Sequence, residues 1–367
     1  MNPQSRIESL DVARAIALFG VVVMNFHAYL NGAQSMYPDH PSMWDRMFNP
    51  LSGPLTTRFA ATFVLIAGIG VSLFTQRARE SNNHVDIQHA RIVLLRRGTL
   101  LYFAGYFVQW IWPGTILFYY GAYFIIAAAV FTWSSRQLIG LCATSIVVAA
   151  GTSWWRASQL LDGNNTRWLS PTPDSPRNLL IRTFVDYTHP VFPWIAFFIA
   201  GIVIGRHIHR FTEIRIRLMF AAILLMLTTH GANFLFTPSP QISNRDVIIA
   251  KLLSTQPLDR SILFSLGTLA TAVVALCFVS LVVERAPHAV GVQLLARAGR
   301  MTLSVYLLHV VFFNLVVHRL HWVGATGLDT ALVLSLSFYV VALVLASAWN
   351  KHFGLGPAER TYRIFGG

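Results

Sequence analysis

Charged residues are scarce in this chain. Asp, Glu, Lys and Arg make up 12% of its 367 residues, whereas an ordinary soluble domain carries about 25%. Hydrophobic residues reach 54%, and the mean hydropathy is +0.54. This balance excludes a soluble globular domain and predicts a polytopic membrane protein, with the lipid bilayer as its surroundings.

Lysine is almost absent, because Lys251 and Lys351 are the only two. The net charge of +13 therefore comes from arginine. In a soluble protein such a charge would indicate nucleic acid, but here the arginines lie mainly between apolar segments, where membrane topology explains them. We expect no nucleic-acid partner.

Cysteine is equally rare, and Cys142 and Cys277 both lie in apolar segments. They provide neither a disulfide framework nor a metal-ligand spacing, so we expect no metal. A small-residue cleavage site does not follow the first apolar segment, which we therefore expect to be an uncleaved anchor.

Long apolar runs make up most of the sequence. Segments of about 18 to 22 residues suit helices that cross a bilayer, and we predict ten of them, near residues 13–30, 57–75, 98–112, 115–133, 137–155, 190–206, 216–236, 261–283, 302–318 and 329–349. With the N-terminus inside, the inner segments hold 17 Arg and Lys residues and the outer segments nine. The expected fold is one all-α membrane bundle over residues 1–367, with both termini cytoplasmic.

The first predicted span carries polar residues at both ends. Asp11 and Arg14 stand three residues apart at its start, and Asn25 and His27 lie near its outer end. A structural anchor gains nothing from such residues, because a charge at the centre of a span costs about 2.5 to 3.5 kcal/mol. Two simpler interpretations stay open: an interfacial ion pair for Asp11 and Arg14, and a hydrogen bond between helices for Asn25.

The loop after this span contains His40, flanked by Asp39 and followed by Trp44 and Asp45. A histidine beside a carboxylate can be held in one tautomer and act as a base or nucleophile near neutral pH. A solvated loop histidine is the alternative.

Two histidines fall in later spans. His309 lies within the ninth, where an ionisable group is by default a functional candidate, although a neutral imidazole bonded to a neighbouring helix fits equally well. His230 lies near the outer end of the seventh. Together they would suit a small-solute transporter.

Several inner and interfacial residues suggest other roles. Arg96 and Arg97 close a basic loop, Gln76 to Arg97, and either mark topology or bind phosphates. Arg58, at the start of the second span, is a further charge. Gly201 and Gly205 form a GxxxG pattern, for which helix packing is a sufficient explanation.

The chain resembles the YeiB-like membrane proteins of the transmembrane acyltransferase group, which includes heparan-alpha-glucosaminide N-acetyltransferase. The opening pattern, Arg-x-x-x-Leu-Asp-x-x-Arg-Gly followed by an apolar run ending in Asn, is matched at Arg6, Leu10, Asp11, Arg14 and Asn25, with Ala15 in place of Gly. Similar blocks follow along nearly the whole chain: TRFAATFVLIAGIGVSL, RRGTLLYFAGY, PGTILFYYGAYFI, PWIAFFIAGIVIGR, AGRMTLSVYLLH and HFGLGPAERTYRIFGG. The closing GPAER is the most specific marker of the YeiB-like branch.

The resemblance implies an acyl transfer. Acyl-CoA, acetyl-CoA above all, would enter from the cytoplasm, and a sugar or glycolipid of the cell envelope would accept the acyl group outside a cytoplasmic (inner or plasma) membrane. His40 matches the catalytic histidine of the relatives, with one residue more before Trp44, and would carry the acyl group or act as base. The relatives carry an aspartate where this chain has Thr57 and Arg58, so Asp39 or Asp45 would have to replace it.

The remaining site residues follow from the same resemblance. Asn25 would stabilise an oxyanion, with His27 in the same vestibule. The donor would be held by Asp11, Arg14, Arg58, Arg96, Arg97 and His309. A transporter, a non-catalytic scaffold and a homo-oligomer stay open as alternatives.

Overall fold

The structure is a computed structural model that describes residues 3–30, 43–164, 175–185, 187–239, 243–324 and 328–367. Every regular element within these ranges is helical, as the sequence predicts. The helices in chain order are α1 (Pro3–Leu30), α2 (Met43–Met47), α3 (Arg58–Phe74), α4 (Gln76–Ser81), α5 (His84–Val108), α6 (Leu117–Val130), α7 (Ser135–Leu161), α8 (Pro176–Phe184), α9 (Val191–Arg206), α10 (Phe211–Phe236), α11 (Asn244–Leu253), α12 (Ile262–Arg285), α13 (Val290–Gly299), α14 (Thr302–Phe313), α15 (Leu328–Phe353) and α16 (Pro357–Gly366).

Each of the ten predicted spans coincides with a helix. Six segments of the described chain are long and apolar enough to cross a bilayer: Glu8–Leu30, Ser135–Leu161, Ile208–Phe236, Ile262–Arg285, Thr302–Arg319 and Thr330–Phe353. Arg58–Phe74, Leu117–Val130 and Val191–Arg206 are apolar but shorter. Ten crossings and cytoplasmic termini stay predictions.

The chain forms two compact units, Met1–Phe63 with Val274–Arg363, and Val64–Val273 with Ile364–Gly367. In the first unit α1 packs against α13, α14 and α15. The Tyr339 hydroxyl on α15 donates a hydrogen bond to the carbonyl of Ala15, and its ring lies 4.6 Å from that of Phe19. The N-terminal helix is therefore held by helices from the far end of the sequence.

In the second unit α5 and α6 form an antiparallel hairpin around the turn that contains Pro113 and Gly114. Glycines allow the two backbones to meet. A Cβ atom at Gly105 would lie 2.3 Å from the amide nitrogen of Phe118, and one at Gly121 would lie 2.5 Å from that of Tyr102. The glycines in the RRGTLLYFAGY and FYYGAYF stretches are thus packing residues.

The GxxxG pattern of α9 has the packing role predicted for it. A Cβ at Gly201 would lie 2.0 Å from the carbonyl oxygen of Leu65, and one at Gly205 would lie 2.6 Å from Cβ of Ser72. Gly68 faces α9 in the same way, because a Cβ there would lie 1.9 Å from the carbonyl oxygen of Phe198. Small residues on both helices therefore let α3 and α9 touch along their backbones.

The segment Gln76 to Arg97 is not the basic loop expected from its charges. It contains α4 and the first half of α5, separated by Asn82 in a left-handed conformation (φ 47°). The Asn83 side chain caps α5 by accepting a hydrogen bond from the amide of Val85 at 2.9 Å. This N-cap starts the helix at His84, so Arg96 and Arg97 lie in its middle.

Candidate functional site

A polar side-chain contact between two helices of the first unit joins Asn25 on α1 to His309 on α14. Asn25 Nδ2 lies 3.1 Å from His309 Nε2. His309 is fully buried, whereas Asn25 is only partly buried. The two residues named separately from the sequence are therefore in contact.

The protonation state of His309 follows from its neighbours. Its Nδ1 contacts the carbonyl of Tyr306, one turn earlier on α14. Because a carbonyl only accepts, Nδ1 carries the hydrogen, and Nε2 must accept from the amide of Asn25. Phe26 and Tyr306 flank the imidazole, with ring centroids 6.0 and 4.8 Å away. The pair thus holds a neutral imidazole and directs one amide N–H of Asn25 to it.

His27 follows Asn25 by two residues and therefore lies on nearly the opposite side of α1. It is almost completely buried, and its Nδ1 donates to the carbonyl of Val23 at 2.6 Å. Phe48 stacks on its ring at 5.4 Å between centroids. His27 is therefore a second buried imidazole fixed in its Nδ1–H tautomer.

The end of the chain positions α14. Oε1 of Glu359 on α16 accepts hydrogen bonds from the amides of Leu303 at 2.7 Å and Ser304 at 3.1 Å. Its Oε2 accepts from the Ser304 hydroxyl at 2.5 Å. A carboxylate at this place satisfies free amides of the first turn and complements the helix dipole. The Glu of GPAER thereby fixes the helix that carries His309.

Asp11 connects α1 to the junction of α13 and α14. Its Oδ1 accepts from Arg14 Nη1 at 2.8 Å, and its Oδ2 lies 3.4 Å from Arg300 Nε. Gly299 permits this approach, since a Cβ there would lie 1.9 Å from the Asp11 carbonyl oxygen. Asp11 and Arg14 are thus an ion pair, as one sequence interpretation held, extended by an arginine that the sequence did not single out.

Thr57 and Arg58 lie where the resemblance implies an aspartate. Thr57 has a left-handed φ of 68°, which is costly for a β-branched residue. Arg58 is buried at the first turn of α3. The backbone strain and the buried cation mark this position as unusual.

The other predicted site residues are more dispersed. Arg96 and Arg97 belong to the second unit, where Arg96 is exposed and the Arg97 guanidinium lies 4.8 Å from the ring of Phe74. His40 lies outside the described residues. Asp45 lies in α2, and its side chain is outside the described part.

His230 does not form the buried polar site that a transporter would need. Its side chain is exposed, and its Nδ1 bonds to the carbonyl of Met226 in its own helix at 2.9 Å. The residues that sequence reasoning missed are Glu359, Arg300 and Tyr339. In the sequence GPAER is only a family marker, because no local pattern links Glu359 to α14.

The long apolar helices and the buried polar pair define an integral membrane protein with a candidate site among its helices. Residues 6–237 match the family described as Heparan-alpha-glucosaminide N-acetyltransferase, catalytic. Residues 208–365 match the family described as Protein of unknown function (DUF418). No curated protein matches the sequence.

The first of these matches covers more than half of the chain. The protein therefore belongs to the heparan-alpha-glucosaminide N-acetyltransferase catalytic family, and it carries a YeiB-like C-terminal region. This membership supports a membrane acetyltransferase type of function and does not favour the transporter.

Proposed function

We propose that the protein transfers an acyl group, acetyl in the first place, from cytoplasmic acyl-CoA to a hydroxyl or amine of an extracytoplasmic sugar or glycolipid. The cytoplasmic membrane is the expected location. The Asn25–His309 pair carries this proposal, because it places an oriented amide donor on the helix that bears the opening motif of the family.

Asn25 supplies the oxyanion donor. Its Nδ2 has two hydrogens, of which His309 Nε2 accepts one. The second is available to the thioester oxygen when the acceptor attacks and negative charge develops there. Such a donor commonly contributes a factor of about 10² to 10³ in kcat.

His40 handles the acyl group or the proton. As a base it takes the proton of the acceptor hydroxyl or amine while that atom attacks the thioester carbon, and CoA leaves as a thiolate that is then protonated. As a nucleophile it first forms an acyl-imidazole and releases CoA, and the acceptor then takes the acyl group. Both routes end in free CoA and acylated acceptor.

The cationic residues would hold the donor. Arg96 is exposed, and a guanidinium binds phosphate oxygens through its planar fork. We assign Arg96 and Arg97 to the phosphates of CoA. Asp11 and Arg14 would contribute by fixing the start of α1, through the ion pair that they form.

The test uses full-length protein in proteoliposomes with labelled acetyl-CoA and a panel of amino sugars and glycolipids. We expect CoA release that depends on the acceptor and label on the acceptor. His40→Ala should abolish both. Rapid gel filtration at neutral pH before the acceptor is added distinguishes the routes, since only the nucleophilic one leaves label on the protein. Solute flux without thioester consumption would contradict the proposal.

A further inference from the structure

A polar cavity of about 300 Å³ lies in the second unit, between the end of α10, α11 and the 3₁₀ turn Pro257–Asp259. This volume is at the lower end of the range for small-molecule sites. Only two apolar side chains, Val247 and Ala250, are among its described lining residues. The polar ones are Asn233, Thr237, Lys251, Ser254, Thr255, Gln256 and Asp259.

The charges in the cavity cancel. Lys251 Nζ lies 2.6 Å from Asp259 Oδ1, and these two are the charged side chains among the described lining residues. A phosphate or carboxylate would have to compete with Asp259 for the ammonium, and a cation would have to compete with Lys251. The cavity therefore favours a neutral ligand.

The lining offers both donors and acceptors of hydrogen bonds. The ion pair uses one of three ammonium hydrogens and one of two carboxylate oxygens, so donors and an acceptor remain side by side. The Gln256 amide and the Thr255 hydroxyl add further groups of both kinds. A hydroxyl both donates and accepts, so adjacent hydroxyls on one ring match such a lining.

The lining is held in place by hydrogen bonds among its own residues and to the end of α11. Asn233 Nδ2 donates to Thr237 Oγ1 at 2.9 Å and to the carbonyl of Leu253 at 2.8 Å, which ties α10 to α11. The backbone N–H of Gln256 donates to Ser254 Oγ at 3.0 Å. A lining fixed in this way loses little conformational entropy when it binds a ligand.

We propose that this cavity binds one neutral sugar ring. The segment that forms it follows the predicted seventh span, on the side where the arginine distribution places the exterior. That the ring belongs to the acceptor rests on the function proposed above, whereas the binding itself does not.

The experiment is saturation-transfer NMR on the full-length protein in nanodiscs, with methyl β-D-glucopyranoside as the probe and glucose 6-phosphate as its charged counterpart. Gln256→Ala removes an exposed lining amide and should weaken glucoside binding about tenfold. Asp259→Asn leaves Lys251 without its carboxylate, so it should weaken the glucoside and strengthen the phosphate. Asn244→Ala, exposed on α11 outside the lining, is the matched control and should leave both unchanged.

Two outcomes overturn the site: no saturation of the glucoside in the wild-type protein, or equal saturation in the wild type and in Gln256→Ala. A transferase assay on the same samples separates the two proposals. If the protein does not bind the glucoside and Gln256→Ala does not affect acyl transfer, the sugar-site proposal is wrong and the acyltransferase proposal stands. If the protein binds the glucoside, Gln256→Ala weakens that binding and no acyl transfer is seen, the acyltransferase proposal is wrong and the sugar-site proposal stands.

Discussion

Asn25 and His309 lie 284 positions apart in the sequence, yet the amide nitrogen of one is 3.1 Å from Nε2 of the other. The imidazole accepts because its other nitrogen donates to Tyr306. This contact joins the opening family motif on α1 to the AGRMTLSVYLLH stretch on α14.

Removing either partner should lower turnover more than substrate affinity. Asn25→Ala deletes the proposed oxyanion donor and should lower kcat by about 10² to 10³. His309→Ala keeps the Asn25 amide but removes the imidazole that orients it, and it should lower kcat by about 10- to 100-fold. His309→Gln, whose Oε1 can replace Nε2 as acceptor, should recover part of the loss. Steady-state kinetics with acetyl-CoA measure kcat and KM separately, and an unchanged kcat in Asn25→Ala would contradict this role.

Gly299 should tolerate no side chain. A Cβ there would lie 1.9 Å from the Asp11 carbonyl oxygen, so Gly299→Ala must push α1 and α13 apart, at a cost of about 1 to 3 kcal/mol. Gly291→Ala on the same helix meets nothing within 4 Å and should be neutral or stabilise by up to about 1 kcal/mol. Thermal unfolding in detergent compares the two, and equal melting temperatures would disprove the close contact.

Glu359 should stabilise the start of α14. Glu359→Ala removes the acceptor for two amides and a hydroxyl and should destabilise the protein by about 1 to 3 kcal/mol. Glu359→Gln keeps one oxygen acceptor and should lose less. Thr361→Ala, exposed on the same helix, serves as the control. A Glu359→Ala melting temperature equal to that of the control would argue against the cap.

The stability of the second unit should fall in mild acid because of His189. Burial, and then the nearby Arg260 guanidinium, lower the pKa of His189 to about 3, and no partner for its Nδ1 is found among the described residues. The unfolded chain binds a proton near the ordinary pKa of about 6.5, so between these values protons favour unfolding. Stability should therefore be full above pH 6.5 and decrease as the pH falls toward 3.

Melting temperatures between pH 7.5 and pH 4.5 test this dependence, since that window starts above the ordinary histidine pKa of about 6.5. In His189→Gln the titrating group is gone, so the melting temperature should fall less with acidification. An identical pH profile in the variant would show that other groups cause the loss. His230→Gln, at an exposed position, controls for the loss of any histidine.

Local patterns predicted the helices but not their partners. Apolar runs located each helix of the ten predicted spans, and Gly201 and Gly205 indicated packing correctly, because these features depend on neighbours within a few turns. The charges of the stretch before Gly98 favour a loop. The stretch is instead helical, because Asn83 provides the N-cap of α5.

The candidate site could be predicted only in part. Asn25 and His309 stood out as polar groups in apolar helices, which is a local property. Three contacts depend on the tertiary packing of distant segments: the one between Asn25 and His309, the ion pair of Asp11 with Arg300, and the capping of α14 by Glu359. Burial also depends on the face of a helix, which is why His230 and His309 looked alike in the sequence and differ in the fold.

The most direct test of the proposed chemistry is a single-turnover assay with labelled acetyl-CoA and an amino-sugar acceptor. It compares the wild type, Asn25→Ala and the exposed-histidine control His230→Ala in proteoliposomes. We expect rapid transfer of label in the wild type and in His230→Ala, and transfer slowed by about 10² or more in Asn25→Ala. Equal rates in all three proteins would show that the buried pair takes no part in acyl transfer.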